Sequence, residues 1–137
     1  MAEGIHCTHI ICQFADITPI RQFNTLRNGN ENAELARQML VYGIQKYIGS
    51  YAAAMGGVDM IVFTAGIGEN NGQLRARVME NFEYLGAKLD LAKNAACADG
   101  KATECVISTD DSKVKVLVIP TDEEIMIARD TLELVSK

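Results

Sequence analysis

Strands that alternate with helices place this chain in the α/β class. Three observations carry that expectation. Met60–Phe63 is a short apolar run rich in β-formers, the pattern of a buried strand. Lys113–Ile119 alternates and then becomes fully apolar, as a strand entering a covered sheet does. Around these strands, residues 31–54, 73–85 and 122–135 carry apolar side chains at helical spacing.

Taken in order, residues 1–28 show no clean periodicity and read as an irregular leader, with a turn at Asp16–Pro19. Asn28-Gly29-Asn30 is a second turn signal. Glu31–Ala54 reads as one long helix, on which Leu35, Met39, Tyr42, Leu40, Ile44, Tyr47 and Tyr51 merge into a wide apolar stripe. Gly56-Gly57 closes it as a C-cap. The tyrosines suit a core or an interface better than a catalytic role. Gln73–Leu85 is expected to be a helix with Leu74, Val78, Phe82 and Leu85 on one face, ended by Gly86. Lys88–Asp90 reads as a short extended piece and Cys105–Ile107 as a possible strand. Residues 91–103 are alanine-rich and polar, with a turn signal at Asp99-Gly100. The last helix, Asp122–Val135, is expected to turn Ile125, Ile127, Ala128, Leu132 and Val135 inward.

The 137 residues suit one domain with one hydrophobic core. Acidic residues outnumber basic ones, 18 to 13, and no basic cluster occurs, which argues against nucleic-acid binding. No apolar run reaches the length of a membrane span. Met1–His6 lacks the charged and apolar regions of a signal peptide. Cys7, Cys12, Cys97 and Cys105 show no C-x-x-C spacing. Free thiols and a cytoplasmic location are the expectation.

Two stretches can carry chemistry. The first is the junction Thr64–Asn70, where a strand runs into Gly66-Ile67-Gly68, then Glu69-Asn70 and a helix. Glycines there let the backbone approach a ligand, and nucleotide sites use such turns. A tight structural turn uses them equally. The next glycine, Gly72, gives G-x-G-x-x-x-G, which is neither the Rossmann fingerprint nor a Walker loop. The second stretch is Pro120–Ile125. Thr121 as N-cap and Glu124 at N3 form a capping box, with Pro120 and Ile125 as its hydrophobic staple. Asp122 and Glu123 then lie in the first turn, where acidic groups suit the helix dipole. If the two strands are parallel, both junctions open on one crevice at the carboxyl edge of the sheet. A glycine turn beside one spare carboxylate suits a Mg²⁺–nucleotide complex, because Mg²⁺ keeps most of its waters. A third cluster, His6, Cys7, His9 and Cys12, has ligand types that suit zinc but not a usual structural-zinc spacing.

From about Gly29 to Leu134 the chain resembles the C-terminal part of acetate kinases. The resemblance is carried by Lys46–Gly57, Ile61–Asn70, Phe82–Gly86 with Leu89-Asp90, Ile107–Thr109, Val114–Glu124 and Ile127–Arg129. It implies an incomplete C-terminal ribonuclease-H-like (actin-like ATPase) domain at residues 29–137, three-layered with a mixed sheet, behind an atypical leader at 1–28. It further implies Mg²⁺-dependent phosphoryl transfer from ATP to acetate, giving ADP and acetyl phosphate, and a homodimer formed through C-terminal domains. Gly66, Ile67, Gly68, Glu69 and Asn70 match the family's adenosine-binding loop, with Ile67 lining the adenine pocket. Glu123 matches the Mg²⁺-associated glutamate.

The family's N-terminal domain has no counterpart in this sequence. That domain carries the acetate pocket and the histidine and arginines that stabilise the transferring phosphoryl group. No catalytic residue is therefore assigned, and acetate or acetyl phosphate would bind only if the missing half is supplied. The expectation is a remnant of truncation, frameshift or rearrangement, without kinase activity on its own. A non-enzymatic dimerisation module and a fragment of a propionate or butyrate kinase are the alternatives.

Overall fold

The computed structural model of the chain describes residues 31–97 and 104–136, without the side chains of Glu31, Asn32 and Glu123. The leader, its Asp16–Pro19 turn, the turn at 28–30, the cluster His6, Cys7, His9 and Cys12, and the Asp99-Gly100 turn lie outside the described residues. The elements run α1 (Glu31–Met55), β1 (Met60–Phe63), α2 (Ala65–Asn70), α3 (Gly72–Met79), a 3-10 turn (Glu83–Leu85), α4 (Leu91–Ala96), β2 (Cys105–Val106), β3 (Lys115–Val118) and α5 (Glu123–Val135).

Among the described residues the sheet is mixed and three-stranded, in the order β1-β3-β2. β1 and β3 are parallel, with Ile61 opposite Val116 and Phe63 opposite Val118. β2 runs antiparallel to β3, with Cys105 opposite Val118. Single bridges at Ala87–Val114 and Leu89–Ser108 extend the pairing, so the piece expected at Lys88–Asp90 is extended. Ile61, Phe63, Val116 and Val118 join Leu40, Ile44, Ile48, Leu74, Val78 and Phe82 in one core. The opposite face of the strands is less covered than the apolar run at 116–119 led one to expect: Val62, Leu117 and Ile119 are only half-buried.

α1 is long, as the periodicity predicts, but its buried face is narrower than the expected stripe. Ala33, Leu40, Val41, Ile44, Ile48 and Ala52 turn inward, while Leu35, Met39, Tyr42, Tyr47 and Tyr51 are exposed. Spacing alone merged two faces that packing separates. A Schellman closure ends the helix: Gly57 N–H donates to Ala52 O at 2.9 Å, and Gly56 adopts φ +74°. Gln45 on α1 donates to Arg77 O and Val78 O, two carbonyls in the last turn of α3. Glu34 accepts from Arg37 and from Arg77 of α3, and the Arg37 hydrogen bond, more than any other contact, holds its carboxyl down to about 2.

The helix expected at 73–85 is broken. α3 stops at Met79, and Phe82 folds back into the core at 2 % exposure. A 3-10 turn follows, closed by a second Schellman pattern in which Ala87 N–H donates to Phe82 O and Gly86 N–H to Glu83 O. Burying Phe82 outweighed continuing the helix; Leu74, Val78 and Leu85 still face the core. α4 was not expected. It starts where the Asp90 side chain accepts from Ala92 N–H and Lys93 N–H.

α5 corrects a further expectation. Ile125, Ile127, Ala128, Leu132 and Val135 are exposed, not inward. The periodicity identified an apolar face correctly but not what covers it, and no described residue does.

Two glycine substitutions should move stability in opposite directions in urea denaturation. Gly86 has φ +86°, and an added Cβ would lie 3.0 Å from Lys113 Cβ; Gly86→Ala should cost at least about 1–2 kcal/mol. Gly43 lies inside α1 with nothing within 4 Å of an added Cβ; Gly43→Ala should gain up to about 1 kcal/mol. A neutral Gly86→Ala would contradict the closure described for residues 82–87.

Candidate functional site

The two junctions singled out in the sequence meet in space. Because β1 and β3 are parallel, the chain leaves both at the same edge. Ile119 N–H donates to Phe63 O at 3.0 Å, continuing the pairing past the strands. Beyond it, one oxygen of the Glu69 carboxylate accepts from Thr121 N–H at 2.7 Å and from the Thr121 hydroxyl at 3.1 Å. Residues 52 positions apart are thus joined side chain to backbone across the mouth of the sheet.

The glycine segment is not the open turn that its composition suggested. Gly66, Ile67, Gly68, Glu69 and Asn70 form the short helix α2, starting at Ala65. The reversal falls earlier, at Thr64 in extended backbone and Ala65 at φ +61°, a left-handed alanine that costs about 1–2 kcal/mol. Neither Gly66 nor Gly68 has positive φ. Their value is space. An added Cβ at Gly68 would touch Phe63 at 3.4–3.6 Å, and at Gly66 it would project into open space. Ile67 is half-buried against the core, and the Asn70 amide donates back to Gly66 O at 2.9 Å. The Thr64 hydroxyl is buried without a hydrogen-bond partner. Such orphan groups and strained residues concentrate at functional sites.

Arg75 on α3 holds this segment in place. Its side chain is fully buried. Nη1 donates to Gly68 O and Glu69 O, both at 2.7 Å. Nε donates to Asn94 Oδ1 at 2.8 Å, and Nη2 to Asn94 O at 3.0 Å and Cys97 O at 2.9 Å. The Asn94 amide in turn donates to Gly72 O at 2.8 Å. Burial pushes the guanidinium below its ordinary value, yet the group stays protonated, as arginine does in proteins. Arg77 points elsewhere, to Glu34. Nothing in the residue pattern aims either arginine at a phosphate. Arg75's actual role, binding backbone carbonyls, has no local sequence signal.

The capping box is corrected. Asp122, not Thr121, caps α5, and its side chain accepts from Ile125 N–H at 2.9 Å. Thr121 is engaged by Glu69, a long-range partner that a local reading cannot see. Glu124 is then at N2 and has no capping duty. Glu123 opens α5, and its side chain lies outside the described residues.

Among the described residues no group of three His, Cys, Asp or Glu side chains could hold a metal. Glu123, whose backbone opens α5 at this edge, is a carboxylate of the kind that Mg²⁺ takes singly while completing its shell with water and phosphate. The space over Gly66 is open, with nothing within 4 Å of an added Cβ. A groove of about 270 Å³ between α1 and α3, lined by Gln38, Val41, Tyr42, Gln45, Arg77, Glu80 and Asn81, includes no residue of the glycine segment. Cys97 and Cys105 are joined as a disulfide with Cα atoms 6.4 Å apart, which corrects the free-thiol expectation for this pair. The sequence spacing of eight carries no signal for it; the approach of α4 to β2 creates it. No described helix is long and apolar enough to cross a membrane.

The profile of the Acetokinase family matches residues 10–129. The chain belongs to that family. The match opens upstream of the boundary expected at residue 29. An acetate kinase of Phocaeicola vulgatus is 55 % identical over 109 residues, 80 % of this chain and 26 % of the relative. The crystal structure of Porphyromonas gingivalis acetate kinase superposes with TM-score 0.70 at 48 % identity, covering 82 % of this chain and 27 % of that one. A propionate kinase from Francisella tularensis superposes with TM-score 0.64 at 32 % identity, over 79 % of this chain and 27 % of that one. The chain therefore spans about a quarter of the length of the relatives it matches. The α/β fold with its mixed sheet is that of the corresponding part of acetate kinases.

Replacing Arg75 tests the clamp. Arg75→Met removes five hydrogen bonds and strands buried carbonyls; it should cost about 3 kcal/mol or more. Arg75→Lys should recover only part, because an ammonium cannot reproduce the planar fork. Losses under about 0.5 kcal/mol in urea denaturation, the range of ordinary surface changes, would contradict the clamp.

Proposed function

We propose that this chain is the nucleotide-binding portion of an acetate kinase, a phosphotransferase that moves the γ-phosphoryl group of ATP to the carboxylate of acetate, giving ADP and acetyl phosphate. The observation that carries the reading is the bond from Glu69 to Thr121, which sets the glycine segment and the Glu123 junction side by side at one sheet edge. Gly66, Ile67, Gly68, Glu69 and Asn70 would hold the adenosine, with Gly66 leaving room and Ile67 offering apolar surface. Glu123 would hold Mg²⁺, directly or through water. Mg²⁺ supplies charge neutralisation at the phosphates when bound.

Two glycines in a six-residue helix support the same reading. Each costs about 1 kcal/mol relative to alanine in a helix, and Gly66 has no packing reason to stay small. Close approach of a ligand accounts for it.

Catalysis of phosphoryl transfer is positioning plus stabilisation of charge on the transferring group. Among the described residues the arginines near the site are committed, Arg75 to carbonyls and Arg77 to Glu34. This chain alone should therefore bind nucleotide without turning it over. The acyl group is acetate by the weight of the relatives; a propionate kinase shares the fold of this region, so propionate or butyrate is the alternative acceptor. A cytoplasmic location and no nucleic-acid or membrane partner accompany this reading. A homodimer is the second part of it, favoured by the exposed Leu35, Met39 and Tyr42 on α1. Sizing with light scattering should return twice the chain mass.

Calorimetric titration with MgATP, repeated with EDTA, tests the nucleotide site. Saturable binding near millimolar, about −4 kcal/mol, that weakens without Mg²⁺ is expected. Gly66→Ala should leave the fold as stable or up to about 1 kcal/mol more stable while weakening MgATP at least several-fold. No saturable heat from the folded chain, or undiminished binding by Gly66→Ala, would contradict the site. A hydroxamate assay with acetate should show no turnover near the about 1–100 s⁻¹ of ordinary kinases.

A further inference from the structure

The clamp on the glycine segment ends on a cysteine. Arg75 reaches Gly68 O and Glu69 O on one side and Cys97 O on the other. Cys97 is the C-cap of α4, and its sulfur meets Cys105 at the start of β2. Their Cα separation of 6.4 Å falls within the range that a disulfide spans. Cys105 lies opposite Val118, at the same sheet edge from which the Thr121 junction leaves. The pair therefore ties α4 to the edge that carries the candidate site.

α4 has little else of its own to hold its C-terminal end to the sheet. It has six residues, far fewer than an isolated helix needs. Leu91, Ala92, Lys93, Ala95 and Ala96 are exposed, and Asn94 is the one buried residue in it. Asn94 and the Cys97 cap tie its last turn to Arg75, while the exposed Lys93 of the same turn pairs with Asp110 at the surface.

We propose that Cys97 and Cys105 are a reversible thiol–disulfide modification site whose oxidation state sets the order of the glycine segment through Arg75. The oxidant is a small-molecule disulfide of the glutathione class. The half-buried Cys105 thiolate attacks one of its sulfurs and releases one small thiol. The Cys97 thiolate then attacks the Cys105 sulfur of the mixed disulfide and releases the second. Two protein thiols become one disulfide, and one small disulfide becomes two thiols that carry the two protons. Reduction runs the same exchange backwards. In the reduced state the last turn of α4 loses its anchor on β2, Arg75 loses the fixed position of Cys97 O, and residues 66–70 open more often. The consequence for nucleotide binding rests on the function proposed above; the coupling itself does not.

The test uses the full chain equilibrated in oxidised and in reduced glutathione, with two readouts that need no nucleotide. In peptide mapping after alkylation, the oxidised sample should yield tryptic peptides 94–101 and 102–113 linked through Cys97 and Cys105. In hydrogen exchange, amides of residues 66–71 should exchange about tenfold faster in the reduced sample, as local opening becomes more frequent. Cys105→Ser, or Cys97→Ala if that variant fails to fold, should exchange alike in both buffers. Absence of the linked peptides, with bonds only through Cys7 or Cys12, would overturn the proposal. So would equal exchange of residues 66–71 in the two states.

Discussion

A buried guanidinium without a carboxylate partner is the constraint on which the rest of the site depends. All five N–H donors of Arg75 are spent on Asn94 and on backbone carbonyls of Gly68, Glu69, Asn94 and Cys97. Three segments that have little hydrophobic surface of their own converge on it: the glycine helix α2, the start of α3 and the short α4. Burying a charge without hydrogen bonds would be prohibitive. Here the last carbonyls of two short helices, which lack intrahelical partners, need donors as much as the guanidinium needs acceptors. Each side removes the other's desolvation cost, and the result is rigid backbone where helix propensity alone would give none.

That rigidity explains how a glycine-rich helix can present a site. Residues 66–70 are tied at three points: Ile67 to the core, Gly68 and Glu69 carbonyls to Arg75, and the Glu69 carboxylate to Thr121. What remains open is the space over Gly66 and the uncapped, strained entry at Thr64 and Ala65. The conformational cost of ordering such a segment is met within the fold itself, which is the general advantage of preorganisation for the proposed site.

The parts legible in the sequence were those governed by local or periodic rules. β1, β3, α1, its Gly56 closure and the left-handed Gly86 follow from residue type and spacing, and the parallel pairing places the two junctions together as expected. The parts that were not legible depend on distant partners. Thr121 has every local feature of an N-cap, yet Glu69 takes it and Asp122 caps instead. Phe82 fits the helix period but leaves the helix to fill the core. Arg75 reads as one more charged residue on a helix, and Cys97 with Cys105 as two unrelated thiols; only the approach of α4 to α3 and β2 gives them roles. The apolar face of α5 was legible, but its uncovered state was not, because period reports the need for a partner and not its presence.

The proposed nucleotide site is the edge joining Gly66–Asn70 to Thr121–Glu123. Heteronuclear NMR of the labelled chain titrated with MgADP locates binding residue by residue. The amides of Gly66, Ile67, Gly68, Asn70 and Glu123 should shift first and most. Shifts centred on the groove between α1 and α3, around Tyr42 and Gln45, with the glycine segment unchanged, would contradict the proposed site.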